Sequence, residues 1–166
     1  MIPPKEEAMQ ARTRRVSLFA VVAVAWVVIL GGAALAQGNF GPGTWKLNLA
    51  KSKFDSGPAP MSETRVYELW EKDGIKATFT IVGVDGKTIK RGYAAHYDGK
   101  DYKFTGSPDF DTIALKLMDA NTLEATLRKG SKVVLIQKVV LSGNGKVRTL
   151  TTMMGTNHDV VVYDKQ

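Results

Sequence analysis

The chain has 166 residues, 44% of them hydrophobic and 23% charged, which suits one folded domain plus an appendage and argues against disorder. It contains no cysteine, which excludes a disulfide framework, a thiolate metal site and a cysteine nucleophile. The net charge is +7 and falls to +5 once residues 1–36 are set aside; the excess is spread thinly, with no Lys/Arg run and no RNA-binding aromatic motif, so no nucleic-acid partner is expected.

In chain order, the first element is a three-part N-terminal segment. Met1–Arg15 is polar and ends in Arg12, Arg14 and Arg15, and Val16 to Ala36 carries no charge. Val16–Leu30 is the apolar core, Gly31-Gly32 loosens it, and Ala34-Leu35-Ala36 places small residues where a signal peptidase reads them. Residues 1–36 therefore read as a signal peptide, with cleavage expected between Ala36 and Gln37. An uncleaved membrane anchor is the alternative. The uncharged stretch would reach about 32 Å as a helix, and a bilayer core is about 30 Å thick. Thr13-Arg14-Arg15 also begins a twin-arginine pattern, although Ser17 stands where a large apolar residue is wanted. In each case the positive flank stays in the cytoplasm and the rest lies outside it. The expected location is periplasmic or extracellular, or, for the anchor, the inner membrane with the C-terminal domain outside the cytoplasm.

Residues 37–43 form a glycine-rich lead that is expected to be flexible. Residues 44–166 are a series of short segments rich in Val, Ile, Thr, Tyr and Phe, separated by turn residues. Asp73-Gly74, Asp85-Gly86 and Asp98-Gly99 predict tight hairpins. The predicted strands are Trp45–Leu49, Thr64–Trp70, Ile75–Val82, Thr88–His96, Asp101–Thr105, Thr112–Met118, Leu123–Arg128, Lys132–Leu141, Val147–Met154 and Asp159–Asp164. Ile75, Ala77, Phe79 and Ile81 alternate with polar neighbours, as do Ile113, Leu115 and Leu117, which gives each ribbon one buried and one wet face. Val133–Val140 is apolar on both faces apart from Gln137 and Lys138, which predicts a doubly covered or sharply twisted strand. Ala50–Ser62, with Pro58 and Pro60, should be a loop. A run of hairpin-joined strands leaves two unpaired edges, and closure removes them. The expected fold is all-β: an antiparallel up-and-down β-barrel of about ten strands, preceded by the hydrophobic signal or anchor helix.

Gly43-Thr44-Trp45-Lys46-Leu47 resembles the first strand of the lipocalin and fatty-acid-binding (calycin-type) barrels, whose Gly-x-Trp mark opens the barrel. Gly155-Thr156 through Val162-Tyr163-Asp164-Lys165 resembles the closing strand of the fatty-acid-binding branch. Residues 43–54 (GTWKLNLAKSKF), 98–102 and 107–112 are similar to a group of exported bacterial proteins. The resemblance covers residues 43–166 and implies a lipocalin-like barrel around a small ligand. Two departures qualify it. Ala50–Ser62 is too short for the helical lid of the fatty-acid-binding branch, and that branch's Arg-x-Tyr carboxylate clamp is met by Tyr163 alone, Val161 standing at the Arg position.

Tyr67, Phe79, Arg91, Tyr93, Phe104, Met153 and Tyr163 are the residues expected to line a ligand pocket, Arg91 because a guanidinium on an aromatic face can read an anionic group. Trp45 reads as the plug that closes the barrel. His96 and His158 have no ligand spacing, and Asp109 and Asp111 lack the ligand count of a calcium loop, so no metal is expected. Lys129-Gly130 and Gly143-Asn144-Gly145-Lys146 lie between strands and read as hairpins rather than phosphate cradles. No catalytic constellation can be singled out, so neither an enzyme nor a cofactor is expected. The expected partner is a small apolar ligand. The second reading is an interaction module that meets a membrane surface or a membrane complex.

Overall fold

The computed structural model describes residues 40–154 and 157–166. The expected signal segment and its Ala36–Gln37 cleavage site lie outside these residues. Among the described residues no helix is long and apolar enough to cross a membrane.

The described residues form ten strands: β1 (Gly43–Leu47), β2 (Ser62–Trp70), β3 (Gly74–Val82), β4 (Thr88–His96), β5 (Asp98–Thr105), β6 (Thr112–Leu117), β7 (Thr122–Lys129), β8 (Lys132–Leu141), β9 (Val147–Met154) and β10 (Asn157–Lys165). Each pairs antiparallel with its neighbours in sequence, and β1 pairs with β10, so the sheet closes into a barrel. This architecture is consistent with a calycin-like fold. Closure is anchored by Trp45 opposite Lys165 and Leu47 opposite Tyr163. It pairs the two outer edges that an open sheet would expose, while β4 and β5 are joined only at Gly92–Thr105 and Tyr93–Phe104.

Alternation sets the core. On β3 Ile75, Ala77 and Phe79 point inward and are buried, as do Ile113 and Leu115 on β6 and Leu123, Ala125 and Leu127 on β7. Trp45 is 1% exposed and Tyr163 0%. A side chain of this size contributes about 1.5–3 kcal/mol or more by burial.

Four local features differ from expectation. The β2–β3 turn does not use Asp73-Gly74 as its bend. The bend lies at Glu71, with φ 51°, and Gly74 is already paired with Trp70 in the ladder. Asp85-Gly86 does turn at a glycine of positive φ, 76°, whereas Asp98-Gly99 already belongs to β5, where Gly99, also at φ 76°, sits at a register shift against β6. β8 is one strand but is not covered on both sides. A bulge opposite Leu127 and Arg128 shifts its register, and beyond it Ile136 and Val140 stand on the outer wall, 40% and 38% exposed. Phe40, expected in a flexible lead, is buried, and its carbonyl accepts a hydrogen bond from Tyr97 Oη at 3.0 Å.

Between β1 and β2 the expected loop holds a short 3-10 turn, Leu49–Lys51, and Lys53 bridges to Val160. Asp159 accepts hydrogen bonds from the Asp55 amide at 2.7 Å, from the Ser56 amide at 2.9 Å and from the Ser56 hydroxyl. This loop lies over β10 as a strap rather than a helical lid.

Candidate ligand cavity

The barrel holds a partly open cavity of about 220 Å³. Its wall has two unlike halves. β6, β7 and β8 contribute aliphatic side chains, among them Ile113, Leu115, Leu127, Leu135 and Val139. β2, β3, β4 and β9 contribute aromatic rings and nearly all the polar groups: Glu63, Arg65, Tyr67, Phe79, Arg91, Tyr93 and Arg148. Gln137 of β8 is the exception, and it donates to Thr152 Oγ1 at 3.2 Å.

Strand register explains the grouping. Arg65 lies opposite Phe79, and Phe79 opposite Arg91, so three inward positions of β2, β3 and β4 form one level of the wall. One level along, Tyr67, Ala77, Tyr93 and Phe104 follow in the same way. The rings meet edge-on: Phe79 and Tyr93 are 5.8 Å apart at 73°, and Phe104 and Phe110 are 4.8 Å apart at 72°. Such geometry aligns ring edges with ring faces and adds to simple burial.

The three arginines are held differently. Arg65 is paired: its Nε donates to Glu63 Oε1 at 2.7 Å, and the other Glu63 oxygen accepts from Tyr163 Oη at 2.8 Å. Burial works against the Arg65 charge, but Glu63, Tyr163 and Tyr67 together outweigh it and hold the guanidinium well above its ordinary pKa. Arg148 is 3% exposed and has no carboxylate partner among the described residues. Its guanidinium carbon lies 4.1 Å from the Tyr67 ring centre, 4.3 Å from Trp45 and 5.5 Å from Phe40. Each such cation–π contact is worth about 0.5–2 kcal/mol. They hold the side chain in place but satisfy none of its N–H groups, and Nε and Nη2 have no hydrogen-bond partner among the described residues. Arg91 lies 5.8 Å from the Phe110 ring, and its Nε is likewise unpartnered.

The tyrosines report the same interior. Burial pushes Tyr97 up to about 12. Burial, then Tyr67 and Tyr97, raise Tyr93 well above its ordinary value, although Arg148 and Arg65 pull the other way. Tyr163 is raised by burial, against the pull of Arg65 and with the help of Glu63.

Of the residues expected to line a pocket, the cavity brings together Tyr67, Phe79, Arg91, Tyr93 and Phe104. Tyr163 is fully buried but sits behind the lining, bonded to Glu63. Met153 is a correction. It is 58% exposed on the outer wall opposite Ile136, because the inward positions of β9 are Arg148, Leu150 and Thr152. Trp45 is buried as expected, and it packs against Arg148 as well as closing the core. Glu63, Arg65 and Arg148 were not anticipated. The signal for them was present, since period-two alternation puts Glu63 and Arg65 on the face of Tyr67, and Arg148 on that of Leu150.

His96 Nε2 lies 3.0 Å from Glu71 Oε2 at the surface, and His158 is exposed. Among the described residues no group of three or more His, Cys, Asp or Glu side chains could hold a metal ion. Comparison with protein-family models, with curated proteins and with solved structures finds no match to this chain.

Proposed function

We propose that the protein is an exported, non-catalytic binding protein that carries a small, largely apolar molecule inside its barrel. The observation that carries this reading is the partly open cavity of about 220 Å³ inside the barrel, which the barrel's own side chains leave unfilled. Interiors are otherwise close-packed, and a void of this size forfeits dispersion contacts along its whole lining. A ligand restores them. The volume lies just below the usual range of small-molecule pockets, about 300–1,000 Å³. An apolar cavity of about 150 Å³ accepts benzene, so the space suits one ring with a short substituent.

Non-catalytic binding is favoured because the cavity's one carboxylate, Glu63, is engaged on both oxygens by Arg65 and Tyr163. Export rests on the sequence of residues 1–36, and N-terminal sequencing of the protein recovered from cells tests it. A start at Gln37 supports secretion, and retention of Met1–Arg15 supports the anchored form.

Binding is tested by titrating a fluorescent apolar dye of one- or two-ring size into the protein. Saturable binding at one site is expected, with loss on filling the cavity by Ala125→Phe. A dye that binds non-saturably, or that binds the filled variant equally well, overturns the reading.

A second reading has its own observation. Ile136 and Met153 face each other on the outer wall of β8 and β9, 40% and 58% exposed, which suits a protein or membrane partner rather than open solvent. Ile136→Lys with Met153→Lys would then abolish membrane association or co-purification while leaving dye binding intact.

A further inference from the structure

We propose that the molecule held in the barrel is a carboxylate, and that Arg148 is the residue that takes its anionic end. The proposal rests on the binding reading above and adds the ligand's charge, polarity and orientation.

Among the described residues Arg148 lacks the partner that a buried charge ordinarily has. A guanidinium that is 3% exposed has given up most of its water. Groups in that position are normally paired, because an unpaired buried charge is costly. Arg65, which lines the same cavity, obeys the rule through Glu63. Arg148 does not. Its two unpartnered nitrogens are Nε and Nη2, and these lie on the same edge of the guanidinium plane. Their N–H bonds run parallel and match the spacing of the two oxygens of a carboxylate. The Tyr67, Trp45 and Phe40 rings lie against the guanidinium, while the Nε–Nη2 edge is buried without a hydrogen-bond partner among the described residues.

Charge balance agrees. Arg65, Arg91 and Arg148 line the cavity against a single carboxylate, Glu63, so the interior carries two positive charges in excess. Arg91 adds a further unpartnered Nε. The division of the wall then orients the guest. Its anion meets the arginine side, on β9 and β2 to β4, and its apolar body lies against the leucines and valines of β6 to β8. The volume limits that body to about one ring and a short chain.

Three probes of matched size test this in the full chain: 4-phenylbutanoate, 4-phenylbutan-1-ol and phenyl phosphate, each measured by calorimetry. The butanoate is expected to bind at least tenfold more tightly than the alcohol. It should keep that preference in 1 M salt, because a buried pair is screened far less than surface attraction to a basic protein. Arg148→Met should lose the preference, binding the butanoate no more tightly than the alcohol. Arg148→Lys, which keeps the charge without the paired donors, should lose most of it. Equal binding of butanoate and alcohol overturns the assignment while leaving the barrel a binder. A preference that vanishes with salt, or that survives in both variants, overturns it too. Tighter binding of phenyl phosphate replaces the carboxylate with a phosphate ester. Failure of all three probes removes the binding reading itself. The comparison of probes in the unmutated protein stands even where a variant does not fold.

Discussion

Tyr163 on β10 donates its hydroxyl to Glu63 on β2 at 2.8 Å, and so ties together two strands that flank β1 on either side. The other Glu63 oxygen is held by Arg65 at 2.7 Å. All three groups sit inside the wall, where each polar atom needs its partner.

Removing members of this triad should cost unequal amounts. Tyr163→Phe leaves one carboxylate oxygen without a donor and is expected to cost about 1.5–3 kcal/mol, the range for a hydrogen bond to a charged group. Glu63→Ala strands the Arg65 guanidinium and should cost about 3–5 kcal/mol. Urea unfolding of the two variants checks the order, and a milder effect for Glu63→Ala would show that Arg65 is stabilised from elsewhere.

Alkali should unfold the barrel through its tyrosines. An unfolded tyrosine ionises near pH 10, whereas burial raises Tyr97 to about 12 and moves Tyr93 and Tyr163 in the same direction. Between those values the unfolded chain has released protons that the folded chain retains. The stability these groups contribute is therefore complete below about pH 10 and is lost as pH rises through their folded values. Tyrosinate absorbance and the strand signal in circular dichroism should change together. Ionisation of all three near pH 10 with the fold intact would contradict their burial.

The strap between β1 and β2 should respond to acid. Burial alone would raise the Asp159 carboxyl's pKa, but the hydrogen bonds from Ser56 and the Asp55 amide outweigh it and hold the group below the usual carboxylate value. Its contribution is present above the unfolded value, about 4, and is lost as pH falls through the lower folded one. Hydrogen-exchange protection at Asp55 and Ser56 is expected to drop in that window, and to be absent at neutral pH in Asp159→Ala. Unchanged protection in the variant would mean that the Lys53–Val160 bridge fastens the strap by itself.

Gly74 is required for space. A Cβ there would stand 2.7 Å from the Trp70 ring and 3.1 Å from the Ala95 carbonyl oxygen. Gly74→Ala should therefore cost about 1–3 kcal/mol, as overpacking does. Gly86, at φ 76° with open space around it, should accept asparagine at little cost. Thermal melts of the two variants compare a close approach with a turn requirement.

The strand count and most strand limits were legible because alternation and turn residues act locally. Leu123–Leu127 can bury its apolar side chains in one way only, whatever lies across the barrel. What was not legible depends on registers between strands. Nothing local to Trp70–Gly74 says that the bend falls at Glu71, since this follows from Gly74 having to pair beside the Trp70 ring. Met153 reads as apolar and therefore inward, but the buried Arg148, Leu150 and Thr152 give its strand the opposite phase. Arg148 was passed over for a related reason. Basic residues on strands are ordinarily solvated, and only the closed wall, with Trp45 and Tyr67 brought against it, makes this one an interior group.

Because β1 and β10 zip together, the barrel is a hoop whose final seam joins partners far apart in the chain. Asn48 and Asp164, bonded at 2.6 Å across that seam, are separated by 116 residues. Loops of that length close late, after nearer hairpins have formed. Until β10 arrives, the growing sheet is an open gutter with two raw lips, and a ribosome stalled before Asn157 would release it in that sticky form. The same proximity offers a remedy at the bench. A short bridge between the two sides of the seam, with new ends cut at the Gly143–Gly145 turn, should yield a permuted hoop that retains every ladder.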